Sequence, residues 1–322
     1  MISRRKALPA VIVAALVSPC SAETVYVSNE KDNTISIIDG ETLATVGTIA
    51  VGRRPRGIGL SQDKKKLFAA VSDDNRIDII DLATRKVEGS LPSGPDPELF
   101  VVHPDGKRLF VANEDDNQVS VIAIPERRII GEIEVGVEPE GMGASPDGRI
   151  VVNTSETTSM LHVIDAETLE VLDNLLVDTR PRVAQVSADN RQIWVSSELR
   201  GSVEVFDAQA REALAKITFE IPSISPEFVQ AVGIQLTRDG TRAYVALGPA
   251  NRVAEIDAKS YKVLRMYLVG QRVWQLALSP DEKRLYTANG ASNDASVIDL
   301  EHGRVIKSIP VGRSPWGIVA AP

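Results

Sequence analysis

The chain has 322 residues, of which 25% are charged and only 4% aromatic, with 36 Lys and Arg against 44 Asp and Glu. That length suits two ordinary domains or one large all-β domain, and it supplies a core without staples. The charges are scattered and net −8, which argues against disorder and against an obligate nucleic-acid binder. One cysteine excludes an internal disulfide framework and any Cys-rich zinc or iron–sulfur site, and no Cys-x-x-Cys-His occurs for covalent haem.

Residues 1–22 read as a cleaved export signal. Arg4, Arg5 and Lys6 precede the apolar run Ala10–Val17, and Pro19-Cys20-Ser21-Ala22 leads to Glu23. The apolar run is too short to span a bilayer. The arginine pair also loosely fits a twin-arginine signal. The expected product, residues 23–322, is a single domain with no cysteine and no membrane span. Loss of the three basic residues takes its net charge to −11.

From Glu23 onward one module repeats seven times. Tyr26, Phe68, Phe110, Val152, Trp194, Tyr244 and Tyr286 are spaced 42, 42, 42, 42, 50 and 42 residues apart. Asp39, Asp81, Ala123, Asp165, Asp207, Asp257 and Asp299 keep the same intervals. Each module reads as four short strands. In the first, Tyr26–Ser28, Thr34–Ile38, Val46–Val51 and Arg56–Leu60 are separated by turn residues such as Asp39-Gly40-Glu41-Thr42. A turn position recurs as Asn33, Asn75, Asn117, Ser159, Gly201, Asn251 and Asn293, where Asn and Gly tolerate a left-handed backbone.

Four antiparallel strands in about 42 residues describe one blade of a β-propeller. A sandwich has no reason to hold two markers in register seven times, and a linear solenoid needs distinct caps. Pro315–Ala320 matches an innermost strand and Val25–Ser28 a second strand. The expected fold is therefore all-β, a seven-bladed propeller whose C-terminal strand completes the N-terminal blade and hides both edges.

The loop feeding each innermost strand opens on one mouth of the central channel. Its equivalent residues are Arg56, Glu98, Glu140, Arg182, Val232, Trp274 and Trp316. Two residues earlier lie Arg54, Asp96, Glu138, Arg180, Gln230, Arg272 and Ser314. Loops collect polar residues and a channel must be filled, so this composition alone has a bland explanation. It also suits a partner or small ligand, with the two tryptophans as a stacking surface and Arg56 and Arg182 pairing to carboxylates. Acidic loops at Glu30, Asp32, Asp73, Asp74, Glu114, Asp115, Asp116 and Glu156 share that face, but no stretch has calcium-loop spacing and no metal site is assigned. His103, His162 and His302 occupy different module positions, and Gly-x-Ser-x-Gly, His-Glu-x-x-His and phosphate-cradling glycine loops are absent.

The segments Val25-Tyr26-Val27-Ser28-Asn29, Phe110-Val111-Ala112-Asn113 and Tyr286-Thr287-Ala288-Asn289 resemble the Tyr-Val-Thr-Asn repeat family of β-propellers. Val51-Gly52-Arg53-Arg54-Pro55 and Ser145-Pro146-Asp147-Gly148 belong to the same likeness, which covers residues 23–322. Within that family the chain looks like the exported propeller associated with pyrroloquinoline quinone (PQQ)-dependent catabolism. The resemblance implies a periplasmic, non-catalytic accessory protein, without a cofactor of its own, that acts beside a quinoprotein alcohol dehydrogenase or an associated electron-transfer protein. The dehydrogenases themselves have eight blades and an adjacent-cysteine disulfide, which this chain lacks.

Two other functions are open at this point. A propeller hydrolase or lactonase would use Glu98 or Glu140 as base and Arg56 or Arg182 against developing oxyanion charge. Single-stranded nucleic acid could stack on Trp274 and Trp316 beside Arg272 and Arg313, although the charge of −11 opposes it. Finally, the 50-residue interval places an insertion at Phe219–Gln230, with Pro222 and Pro226. It either covers its own blade or leans as a docking element toward the tryptophans.

Overall fold

The structure, a computed structural model, describes residues 23–322; the expected export signal lies outside them. They form seven four-stranded antiparallel sheets arranged as a propeller, with only two short 3₁₀ turns, Ser72–Asp74 and Pro226–Phe228. The innermost strands of blades two to seven are Pro55–Leu60, Pro97–Val102, Pro139–Ala144, Pro181–Val186, Ile234–Leu236 and Val273–Leu278. Blade one is completed by Pro315–Ala321, which pairs with Thr24–Asn29 and brings Thr24 opposite Ala321. The ring closes as the repeat phase requires. No helix among the described residues is long and apolar enough to cross a membrane.

The strands read as continuous apolar runs because both faces of each sheet are covered. Val25 and Val27 pack with Ala277, Tyr286 and Val297 of blade seven. Tyr26, one residue out of phase, packs with Leu67, Ala69 and Ile80 of blade two. The recurring large residues are these wedge fillers, and Trp194 is completely buried among residues of blades five and six. Seven such clusters, one per blade interface, replace a single central core.

The second marker is a turn clamp. Asp39 Oδ1 accepts the backbone N–H groups of Glu41 and Thr42 at 3.1 and 2.7 Å, and Asp165 repeats this with Glu167 and Thr168 at 2.9 and 2.7 Å. Ala123 cannot, and the proline two residues later offers no N–H to hold. The recurring Asn position takes the left-handed conformation in every blade, with φ from 53° at Asn75 to 60° at Asn117.

Hydroxyls knit neighbouring blades together. Ser28, Thr154 and Ser196 occupy the same module position on second strands. Their hydroxyls donate to the carbonyls of Arg56, Arg182 and Val232 on the next blade, at 2.7, 3.2 and 2.5 Å. Glycine follows the mouth residue in four blades, and the reason is steric. A Cβ at Gly57, Gly141, Gly233 or Gly317 would lie 2.3–2.6 Å from a carbonyl oxygen of the adjacent innermost strand. Those strands can converge only without side chains there.

The insertion covers its own blade. Phe219, Ile221 and Val229 are buried in the cluster of blades five and six, and Ile224 packs against it. Phe228, from the same loop, is 53% exposed.

Candidate functional site at the channel mouth

The mouth loops are aimed by the turns beside them. The side-chain carbonyls of Asn33, Asn75, Asn117, Asn251 and Asn293 accept the backbone N–H of Arg54, Asp96, Glu138, Arg272 and Ser314. One conserved geometry within the module therefore serves both the turn and the mouth. Blades four and five, with Ser159 and Gly201, do without it.

The sequence-predicted residues meet there, and most engage one another. Arg56 reaches Glu98 at 2.6 Å, and Arg54 reaches Glu98 at 2.9 Å and Asp96 at 3.2 Å. Across the channel, Arg182 lies 2.9 Å from Glu140 and 3.8 Å from Glu198 and contacts Glu156 directly. Arg180 joins Glu156 and Glu198 at 2.9 and 3.1 Å, and Arg272 joins Glu198 at 2.7 Å. Glu98, Glu140, Glu156, Glu198 and Arg182 are all buried. Four buried carboxylates thus meet five guanidinium groups. Glu156 and Glu198 come from the loops between second and third strands; Glu198 stands alone between Ser197 and Leu199, outside the acidic runs that mark the first three modules.

The tryptophans form the remaining side. Trp274 and Trp316 stack with ring centroids 6.4 Å apart and planes at 30°. Arg56 lies over Trp316 at 5.6 Å, while Arg182 and Arg272 lie over Trp274 at 5.6 and 4.1 Å. Trp316 is buried to 1% exposure, so it supports the cluster from beneath and offers no stacking surface of its own. Trp274 is half-buried and borders a surface cavity of about 620 Å³ with Lys31, Arg272, Gly290 and Arg313. Val232 is buried, its N–H donated to the carbonyl of Ala246, and contributes no functional group.

Burial governs the ionisation of the cluster. Desolvation, then the neighbouring Glu140, hold Glu98 well above the ordinary carboxylate range, with Arg56 opposing. Burial raises Glu140 against the pull of Arg182, and raises Glu156 to about 7. Burial also works against the charge of Arg182, but the surrounding Glu140, Glu156 and Glu198 outweigh it and hold the guanidinium charged. Oxygens of Asp96, Glu98 and Glu114 come within 4.8 Å of one another, a spacing that suits a cation. The guanidinium of Arg54 supplies positive charge to two of these three.

None of the histidines joins this site. His162 is buried with Nε2 accepting the N–H of Gly136 and Nδ1 against Asn174, and burial lowers its pKa. His103 contacts the Gly148 carbonyl, and His302 is exposed beside Asp299.

No protein-family profile matches the chain, and no curated protein matches it in sequence. Solved structures do. Hydrazine synthase of Kuenenia stuttgartiensis superposes with a TM-score of 0.79 at 19% identity, over 86% of this chain and 92% of that one. A Lactobacillus plantarum protein gives 0.79 at 16% identity, over 94% and 99%. A candidate 6-phosphogluconolactonase from Bacteroides fragilis gives 0.79 at 16% identity, over 95% and 99%. At these identities the likeness is one of fold, and it agrees with the propeller read from the repeat.

Proposed function

We propose that the chain is a non-catalytic, exported binding protein that uses the channel-mouth face as its contact surface. The observation that carries this reading is the spent state of the mouth carboxylates. Glu98, Glu140, Glu156 and Glu198 each already hold at least one guanidinium, so none of the four stands as an unpaired base. Such a network fixes a rigid, shaped surface. Next to it lie groups suited to contact. Trp274 stacks with Arg272, and exposed Leu199 and Phe228 stand on loops that touch through Gly201 and Val229. Aromatic, Arg and apolar residues side by side are what interface centres favour.

On the sequence resemblance to exported propellers of PQQ-dependent catabolism, the partner is a quinoprotein dehydrogenase or its electron-transfer protein. Immobilised residues 23–322 should retain such a dehydrogenase from a periplasmic extract. A Phe228→Ser, Trp274→Ala variant that still melts cooperatively should lose it at least tenfold. Equal retention by both chains would remove the mouth from the interaction, and retention by neither would remove the partner.

The elevated carboxylates favour one second reading, hydrolysis of a lactone or related ester with Glu98 or Glu140 as the acid–base group. A lactone panel, with and without calcium, tests it. Turnover that disappears in Glu140→Gln supports it, and turnover on no substrate disposes of it.

A further inference from the structure

Most mouth loops are pinned where they enter a blade, and the pin comes from one position on its third strand. In blades one, two, five and seven a side-chain oxygen of Ser36, Asp78, Glu204 and Ser296 accepts the backbone N–H of Gly312, Gly52, Asp178 and Gly270, at 3.3, 2.8, 2.7 and 3.2 Å. Blade four puts His162 there, on the strand Met160–Asp165, and its Nε2 accepts the N–H of Gly136 at 3.0 Å. The hydroxyl of Ser155 also lies 3.0 Å from Nε2, while Nδ1 meets the side-chain carbonyl of Asn174. Nδ1 therefore carries the proton of the neutral ring, and Nε2 is the bare acceptor.

The other four acceptors survive acid. A serine hydroxyl does not titrate, and a protonated carboxyl keeps an oxygen that accepts. An imidazolium accepts nothing, because both of its nitrogens donate. Ser155 can answer by turning its hydroxyl to accept from Nε2. A backbone amide has no such freedom, so the Gly136 N–H is left facing a like donor. Burial holds the His162 pKa below 6.5, with only the Asn174 hydrogen bond opposing, so the ring is neutral near neutral pH and charges as pH falls below that value. The carboxylates on the surrounding elements are engaged elsewhere or open to solvent. Glu138 on the loop holds Thr157, Glu156 holds Arg180 and Arg182, Asp173 beside Asn174 lies 3.7 Å from Arg211, and Glu134 ahead of the loop is exposed.

Loop 135–138 is placed to carry this change to the mouth. The carbonyls of Val137 and Glu138 accept the N–H groups of Thr157 and Glu156, and Glu140 follows the loop by two residues. Ser155, the other partner of Nε2, immediately precedes Glu156. Glu140 and Glu156, which both hold Arg182, are thus joined by short stretches of backbone to the two groups that His162 binds. We propose that His162 is an acid latch on the mouth: when the ring takes up its second proton, loop 135–138 comes away from blade four and the ion-paired face loses its shape. Release of a docked partner in acid rests on the binding role proposed above; the latch itself does not.

Amide hydrogen exchange and ring-nitrogen NMR on residues 23–322 test the latch without any partner. Between about pH 7 and pH 4 the protection of the Gly136 amide, corrected for its intrinsic exchange rate, should fall at least tenfold, in step with protonation of His162 Nε2. Gly270, held by Ser296, should keep its protection, which separates the latch from general loosening. His162→Ser copies the arrangement of blades one and seven, and in it the fall should disappear while Glu98, Glu140 and Glu156 still titrate. Should that variant not fold, the parent chain decides: the Gly136 amide must follow the imidazole and not the carboxylates, whose titration side-chain carboxyl NMR records. A ring that stays neutral down to about pH 4, Gly136 protection that persists once the ring is protonated, an equal fall at Gly270, or a fall that survives in His162→Ser overturns the proposal. If the latch is found and no dehydrogenase is retained at neutral pH, the binding role fails and the latch stands.

Discussion

Replacing Arg182 by methionine removes the guanidinium that three buried carboxylates share, and their other partners decide the cost. Glu198 keeps Arg272 at 2.7 Å and Arg180 at 3.1 Å, and Glu156 keeps Arg180 at 2.9 Å. Glu140 has no other ion pair among the described residues than the one at 2.9 Å. The loss is therefore dominated by one buried carboxylate left alone, about 3–5 kcal/mol at neutral pH. For a domain of this size that is a fall in melting temperature of roughly 6–10 °C. Glu140→Gln in the same chain should restore about 1.5–3 kcal/mol, because it removes the orphaned charge. Burial already raises Glu140, and Arg182 is what lowers it, so the variant raises it further. The folded variant then binds a proton that the unfolded chain releases, and its deficit shrinks as pH falls from 8 to 5. Calorimetric melting of the parent, both single variants and the double variant at pH 8 and 5 measures all of this. Strictly additive losses, or the same deficit at both pH values, would refute the account of the mouth as a mutually neutralised cluster.

The wild-type chain should itself be most stable in mild acid. Glu156 is raised from 4.5 to about 7, so its contribution, on the order of 3 kcal/mol, is present below 4.5 and lost as pH rises through 7. Five turn aspartates act at the other end. Hydrogen bonds from their own turns hold Asp39, Asp81, Asp165, Asp257 and Asp299 below the ordinary Asp value, so their stabilisation is lost as pH falls through that lowered range. Melting temperature against pH should therefore peak between about 4 and 5.5 and decline on both sides; a flat profile from 5 to 8 would contradict it. Ser28→Ala should cost about 1–3 kcal/mol, since one buried hydroxyl both donates to the Arg56 carbonyl and accepts from the Gly317 N–H, as chemical denaturation can show. Lys64, exposed at φ 58° where other blades carry Gly106, Gly148 and Gly240, should become more stable by about 0.5 kcal/mol as Lys64→Gly, read from the same curves.

The ring was legible because periodicity survives in any one sequence that repeats itself. Tyr26 and its six counterparts fill wedges, and Asp39 and its counterparts clamp turns, so each marker reports a constraint met within one module or its neighbour. The mouth was legible as a set of residues but not as a set of pairs. Arg182 lies 26 residues from Glu156 and 42 from Glu140, and nothing local says which carboxylate it will choose. Trp316 looked like an available ring because its position matches Trp274; the covering that buries one and half-exposes the other comes from different blades. The cavity of about 430 Å³ among the innermost strands left little trace, since much of its wall is the Ile, Leu and Val that any strand requires. Glycine after the mouth residue, at Gly57, Gly141, Gly233 and Gly317, was the one local sign of how closely those strands converge.

The hydroxyl of Ser28 and the N–H of Gly317 that it accepts are 289 residues apart in sequence. A chain emerging from a ribosome or a translocation pore at roughly 5–20 residues per second makes the first partner many seconds before the second exists. Throughout that interval blade one has no innermost strand, and its edge lies open next to the unfinished end. Joining ends so distant is also the slowest kind of contact to form, because loop-closure entropy is lost before the pairing returns anything. The closed ring therefore passes, during its making, through an open one. Its vulnerable species is the nearly complete ring, and the time that species lasts is set by the delivery of one strand, Pro315–Ala321.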